Sequence, residues 1–241
     1  MSTLRLNVWS GPRNVSTALM YSFAQRSDSK VVDEPLYGHY LQVTGAPQPG
    51  AAEVMAVMGA DAERAINEVI LGPCERPVLF LKQMAHHLID VPWDFLGATT
   101  NVLLIRDPVE MLPSLAQIMP APTLRDTGLA LQTQLFDYLC ELGQQPAVLD
   151  AKQLLRNPRA VLTQLCEHVG LRFDEAMLSW SAGPRREDGI WAKYWYQNVH
   201  RSTGFEPYRQ KNEPFPATLT PLLAECQPHY ERLVRMAIQA D

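Results

Sequence analysis

The sequence predicts an α/β fold of three layers, with helices on both faces of a central, mainly parallel sheet of about five strands. Three observations predict it. Short apolar runs recur along the chain, each ending in a turn signal or a helix-starting residue. Between them lie segments whose leucines and valines repeat at helical spacing. The composition, 241 residues at 46% hydrophobic and 20% charged, suits one domain with a sizeable core, taken here as residues 1–241. In such a fold the ligand lies beyond the carboxyl ends of the strands, so functional residues are expected just after them.

The strands are expected at Leu4 to Trp9, Lys30 to Asp33, Pro77 to Lys82, Asn101 to Arg106 and Ala147 to Asp150. Helices are expected at Ser16 to Arg26, Ala51 to Leu71, Val109 to Ile118, Thr127 to Leu142, Pro158 to Val169 and Pro221 to Gln239. Glu34 to Gly50 and Ser181 to Pro216 resist this reading. The second is rich in Trp, Tyr, Arg and Pro, and loops this long are usually lids or binding segments.

A net charge of −5 argues against coating nucleic acid or an anionic membrane, so any anion site must be local. Met1 to Trp9 lacks the features of a signal peptide, and no apolar run is long enough to span a bilayer, which makes cytoplasmic the expected location. Cys74, Cys140, Cys166 and Cys226 form no metal-like or redox-like pair. The triplet Asn14-Val15-Ser16 matches a glycosylation acceptor but has no meaning in that compartment.

After the first strand, Ser10-Gly11-Pro12-Arg13-Asn14-Val15-Ser16-Thr17 delivers a basic residue and two hydroxyls onto the start of a helix. Free amides and the positive end of the helix dipole favour a phosphate or sulfate there, and Arg13 adds a forked charge. The same residues also suit a helix capped by Ser16 with a solvated arginine. The lysine of the G-x-x-x-x-G-K-[ST] triphosphate loop is absent, which disfavours a standard ATPase. A second anchor is Asn101 to Pro108, a buried-type strand ending in Arg106, with Asp107 as cap, Pro108 at the first helical position, and Ser114 beyond.

Together these strings resemble the two cofactor signatures of the P-loop sulfotransferase family, in its bacterial-type cytosolic form. The resemblance implies a nucleotide-kinase-like three-layer fold and 3′-phosphoadenosine 5′-phosphosulfate as sulfuryl donor, passed to a small-molecule acceptor with no metal. It implies that Arg13, Asn14, Val15, Ser16 and Thr17 bind the 5′-phosphosulfate, and Arg106 and Ser114 the 3′-phosphate. Val148-Leu149-Asp150 through Val169-Gly170-Leu171 resembles the family's strand-to-helix segment. Ser202-Thr203-Gly204-Phe205, preceded by Arg201, resembles a C-terminal cofactor segment of some bacterial members. Arg13 stands where many members have Lys, and the Arg-Lys-Gly tail motif is missing, so Arg185, Arg186 and Arg201 are all open as tail partners of the 3′-phosphate.

Sulfuryl transfer needs positioned partners and cations about the equatorial oxygens more than covalent help. Arg13 fits, and Lys82 matches a lysine that follows the third strand in many members. For the base, Glu34 comes first, at a strand end and held by Pro35. His86 and His87 are the alternatives, since Met84 occupies the place of the histidine in the eukaryotic Lys-x-His pattern. Trp191, Tyr194, Trp195, Tyr196 and His200 could wall the acceptor or stack on adenine, or pack the tail onto the sheet. The competing readings are an ATP-dependent P-loop phosphotransferase of kinase-like architecture and a non-catalytic nucleotide-binding protein.

Overall fold

A computed structural model describes residues 3–210 and 213–240. Met1, Ser2, Lys211, Asn212 and Asp241 lie outside the described residues, so the readings on Met1 to Trp9 and Ser181 to Pro216 are met only in part. Five strands form the sheet: β1 (Leu4–Ser10), β2 (Ser29–Asp33), β3 (Val78–Met84), β4 (Thr100–Ile105) and β5 (Ala147–Asp150). Their order is β2-β3-β1-β4-β5, and every pairing is parallel. The three inner strands are buried along almost their whole length, which is why they read as continuous apolar runs rather than alternating ones.

Alternate residues face opposite layers. Leu6, Val8, Phe80, Val102 and Leu104 belong to one core, with Leu19, Phe23, Leu162 and Leu165 from the helices Ser16–Ala24 and Pro158–His168. Trp9, Leu79, Leu81, Leu103 and Ile105 belong to the other, with Leu135, Leu139, Tyr230 and Leu233 from the helices Leu129–Glu141 and Thr220–Val234. Buried Gln132 donates to the carbonyls of Trp9 (2.9 Å) and Leu104 (3.0 Å), tying the carboxyl ends of β1 and β4 together. At the sheet's edge, Ile238 donates its N–H to the carbonyl of Val148 (2.9 Å), and Ala237 forms a parallel bridge with Val148.

The structure corrects three expectations. The helix expected over Ala51 to Leu71 is broken into Ala51–Met58, a short turn Ala62–Arg64 and a π-helical turn Ala65–Ile70. The break is at Gly59, with φ of 74°. The supposedly irregular segment after Glu34 holds a helix, Tyr37–Thr44, whose Gly38 lies so close to Gly59 that a Cβ would stand 2.0 Å from its carbonyl oxygen. The helix expected from Thr127 starts at Leu129, after the left-handed Gly128 (φ 75°) ends a separate turn, Leu124–Thr127.

Candidate active site

A cavity of about 390 Å³ opens at the carboxyl ends of β1, β2 and β3, where the ligand of an open parallel sheet is expected. The loop after β1 forms its floor. Gly11 is required there, because a Cβ would stand 2.3 Å from the Thr127 carbonyl oxygen. Arg13 follows in the left-handed region (φ 54°), turning the chain into the helix at Ser16. The cap residue Val15 offers no side-chain acceptor to the first helical amides, so Ser16 is not the cap that one reading of the sequence made it. Asn14 fastens the loop to β4 by donating to the Leu104 carbonyl (2.9 Å).

At this end the basic groups converge. Arg106 donates to the Arg13 carbonyl and lies 3.7 Å from Glu110, while the Arg13 guanidinium donates to the Ser114 hydroxyl (2.9 Å). Burial lowers the Arg106 pKa, Glu110 opposes it and Arg13 adds to it. Two cations close enough to repel are thus gathered beside the loop with little acid to neutralise them, an arrangement suited to a multiply charged anion. Arg106 and all residues from Gly11 to Thr17 line the cavity; Ser114 is reached through Arg13.

The tail string is divided. Ser202, Gly204 and Phe205 line the cavity, with the Ser202 hydroxyl accepting from Trp180 (3.1 Å) and the Phe205 ring edge-on to Trp180 (5.2 Å). Arg201 and Thr203 are exposed and do not line it, nor do Arg185 and Arg186. Arg185 stacks on Tyr21 (4.9 Å) and Arg186 pairs with Glu187 (3.0 Å).

At the other end, the last residues of β2 and β3 meet the tail. Glu34 has φ of 43° and is held there by donating its N–H to the Lys82 carbonyl (2.9 Å). The Lys82 ammonium is 2% exposed; it donates to Asp33 (2.9 Å), to the Tyr196 hydroxyl (2.7 Å) and to Glu34. Burial alone would depress Lys82, but Asp33 and Glu34 together hold it well above its ordinary value. Burial raises the Glu34 pKa, with Lys82 opposing and Asp33 adding. Asp33, which no motif marked, also accepts from Tyr196 (2.7 Å) and from the Gly189 N–H (3.1 Å).

Six rings, those of Tyr37, Tyr40, His86, His87, Trp191 and Trp195, line the cavity beside this cluster. The His87 ring stacks on Tyr37 (5.1 Å) and on Tyr40 (4.5 Å), which also lie against each other (6.3 Å). Burial lowers His86 to about 4 and His87 well below its ordinary value, so both imidazoles are neutral near pH 7. Among the described residues neither Nδ1 has a hydrogen-bond partner. The site therefore combines an anion cradle, a buried carboxylate and an aromatic wall in one cavity, the equipment of an enzyme that moves an anionic group onto an acceptor. The sulfotransferase domain family matches residues 4–237, and the chain belongs to that family.

Solved structures agree on the fold. The chain superposes on a sulfotransferase from Alicyclobacillus acidocaldarius with a TM-score of 0.55 at 15% identity, covering 99% of this chain and 98% of that one. It superposes on the sulfotransferase domain from the curacin biosynthetic pathway with a TM-score of 0.53 at 12% identity, covering 94% and 98%. In sequence it is 38% identical over 229 residues to branched-chain-amino-acid aminotransferase-like proteins 1 and 2 of Arabidopsis thaliana. That match takes in 95% of this chain and 41% of each relative, so the chain spans less than half of their length. Among the described residues no helix is long and apolar enough to cross a membrane, and no group of three or more His, Cys, Asp or Glu is arranged to hold a metal ion.

Proposed function

We propose that the protein is a cytosolic enzyme that transfers a sulfuryl group from 3′-phosphoadenosine 5′-phosphosulfate to a hydroxyl or amine of a small-molecule acceptor, with Glu34 as general base. The observation that carries this reading is the placement of Glu34 and the Arg13 loop on one cavity. The donor set fits a nucleotide with phosphates at both ends: Arg106 and Ser114 for the 3′-phosphate, and the Arg13 to Thr17 loop for the 5′-phosphosulfate. Ser202, Gly204 and Phe205 bound the same cavity, whereas Arg201 and Thr203 do not line it. When bound, the donor supplies the sulfuryl group and the leaving bisphosphate.

The chain's own residues do the rest. Arg13 and the loop amides oppose the negative charge that grows on the leaving oxygen. Glu34 takes the proton of the acceptor as its oxygen or nitrogen bonds to sulfur and the old sulfur–oxygen bond breaks. A carboxylate whose pKa is raised by burial is a better base near neutral pH than an ordinary one. Lys82 stands against Glu34, and neutral His86 and His87 wall the acceptor with Tyr37, Tyr40 and Trp191.

The test is calorimetric titration with 3′-phosphoadenosine 5′-phosphate and, separately, ATP with magnesium, on the unsubstituted protein and Arg106→Ala. Binding of the bisphosphate that Arg106→Ala loses supports the reading. Preference for ATP with magnesium would replace it by the kinase reading. Binding without turnover across an acceptor screen would favour a non-catalytic nucleotide-binding protein.

A further inference from the structure

Resting on the reading of Glu34 as base, we infer that Lys82 is a positioning residue dedicated to Glu34 rather than a contact to the transferred sulfuryl group, and that Asp33 and Tyr196 hold it in that role and make docking of the tail a condition of a correctly aimed base.

The argument is an accounting of hydrogen bonds. An ammonium has three N–H donors and no acceptor. Lys82 spends them on Asp33 Oδ1 (2.9 Å), Tyr196 Oη (2.7 Å) and Glu34 Oε1. None is left for a sulfuryl oxygen. The Tyr196 hydroxyl is spent as well, donating to Asp33 Oδ2 (2.7 Å) while accepting from Lys82 and, at 3.3 Å, from the Trp191 indole. Asp33 Oδ2 takes a further bond from the Gly189 N–H (3.1 Å). Redirecting the Lys82 donor that serves Asp33 Oδ1 into the cavity would leave that buried acceptor unpaired.

Glu34 is the exception. Its Oε1 is held by Lys82, its Oε2 has no partner among the described residues, and the side chain borders the cavity. The cluster thus presents one free carboxylate oxygen on an otherwise closed ring of bonds. Three ionisable side chains, two acidic and one basic, leave a net charge of −1 in a buried place, which favours proton uptake at the one member that faces the ligand. The groups that face Glu34 are Asp33 and Lys82 from the strand ends, Tyr37 from the helix Tyr37–Thr44, and Tyr196 from the tail.

Three of the ring's bonds, Lys82 to Tyr196, Tyr196 to Asp33 and Gly189 to Asp33, depend on the segment Gly189 to Tyr196, whose Trp191 packs edge-on against Tyr37 (5.1 Å). Undocking the tail would return one Lys82 N–H to the cavity and loosen Asp33. Base alignment and tail closure are therefore one event.

The test uses Asp33→Asn, Tyr196→Phe and Lys82→Met in the full chain. Titration of the Glu34 carboxyl by carbon-13 NMR, assigned with Glu34→Gln, should place its pKa lower in Asp33→Asn and higher in Lys82→Met, each by about one pH unit or more. Amide exchange over Gly189 to Ser202 should quicken by about tenfold in Tyr196→Phe. The ratio of affinities for the sulfated nucleotide and 3′-phosphoadenosine 5′-phosphate should be unchanged by Lys82→Met. A fall in that ratio of about tenfold, the size of one charged contact, would place Lys82 on the sulfuryl group and overturn the inference. So would an unshifted Glu34 in Asp33→Asn, a variant that keeps a balanced Lys82–Glu34 pair and stands in if Lys82→Met does not fold. If neither nucleotide binds the unsubstituted protein, the sulfotransfer reading fails, while the carboxyl and exchange measurements still decide whether the ring works as described.

Discussion

The two ends of the cavity are built by different means. At the Arg106 end, charges are partly open and backbone carbonyls take a large share of the contacts: Arg106 to the Arg13 carbonyl and Asn14 to the Leu104 carbonyl, beside Arg13 to the Ser114 hydroxyl and a helix start without a side-chain cap. At the Lys82 end, four largely buried side chains bond to one another, with Glu34 Oε2 alone left to the cavity. An anion that arrives from solution can still be met by the first end, which has donors to give. The second end has donors only for itself, and so it can aim a group but not greet one.

The comparison is sharpened by perturbing each end in turn. Glu34→Gln should lower kcat by about 10²–10⁴-fold, the usual worth of a general base, with calorimetry showing bisphosphate binding unchanged. Loss of binding in that variant would mean the two ends are not separable. Arg106→Ala should weaken the bisphosphate by about tenfold to a hundredfold, the loss of a charged hydrogen bond, with little change in the urea midpoint. Gly11→Ala drives a methyl into the Thr127 carbonyl at 2.3 Å; it should cost about 1–3 kcal/mol in urea unfolding and weaken the nucleotide with it.

The remaining effect is one of pH. His86 has a folded pKa of about 4 against an ordinary 6.5, and His87 is lowered too, both by burial. Between those values the folded protein binds fewer protons than the unfolded chain. Stability is therefore fully present above pH 6.5 and falls as the pH drops towards 4, by up to about 1.4 kcal/mol per unit for each histidine. A series of urea midpoints checks this, and His86→Phe should flatten it.

The same contrast explains what could be read from the chain alone. The strand–loop–helix at Leu4 to Ala24 and the strand–cap–helix at Thr100 to Ala116 are local words, with buried-type runs, a turn glycine and an Asp-Pro cap that name their own structure. Every strand was legible to within two residues for that reason. The ring around Lys82 joins positions 49, 48 and 114 residues apart, and no spacing announces such pairs. Asp33 read as a strand end and Tyr196 as one aromatic among several. The helix at Tyr37–Thr44 carries little local signal because Gly38, Val43 and Thr44 are weak helix formers; its support is tertiary, in buried Tyr37, Tyr40 and Leu41. The break at Gly59 follows from the close approach of Gly38, a fact of packing rather than of periodicity.

The bond from Ile238 to Val148 bears on how the molecule meets copies of itself. A parallel sheet has two open margins, each a template onto which a strand of another molecule can add. On the β5 side, the chain from Ala237 to Ile238 occupies part of that template. That segment thus acts as a stopper against fibre-like growth, and Ile238→Pro, which removes the N–H given to Val148, should keep the fold yet make the β5 margin sticky.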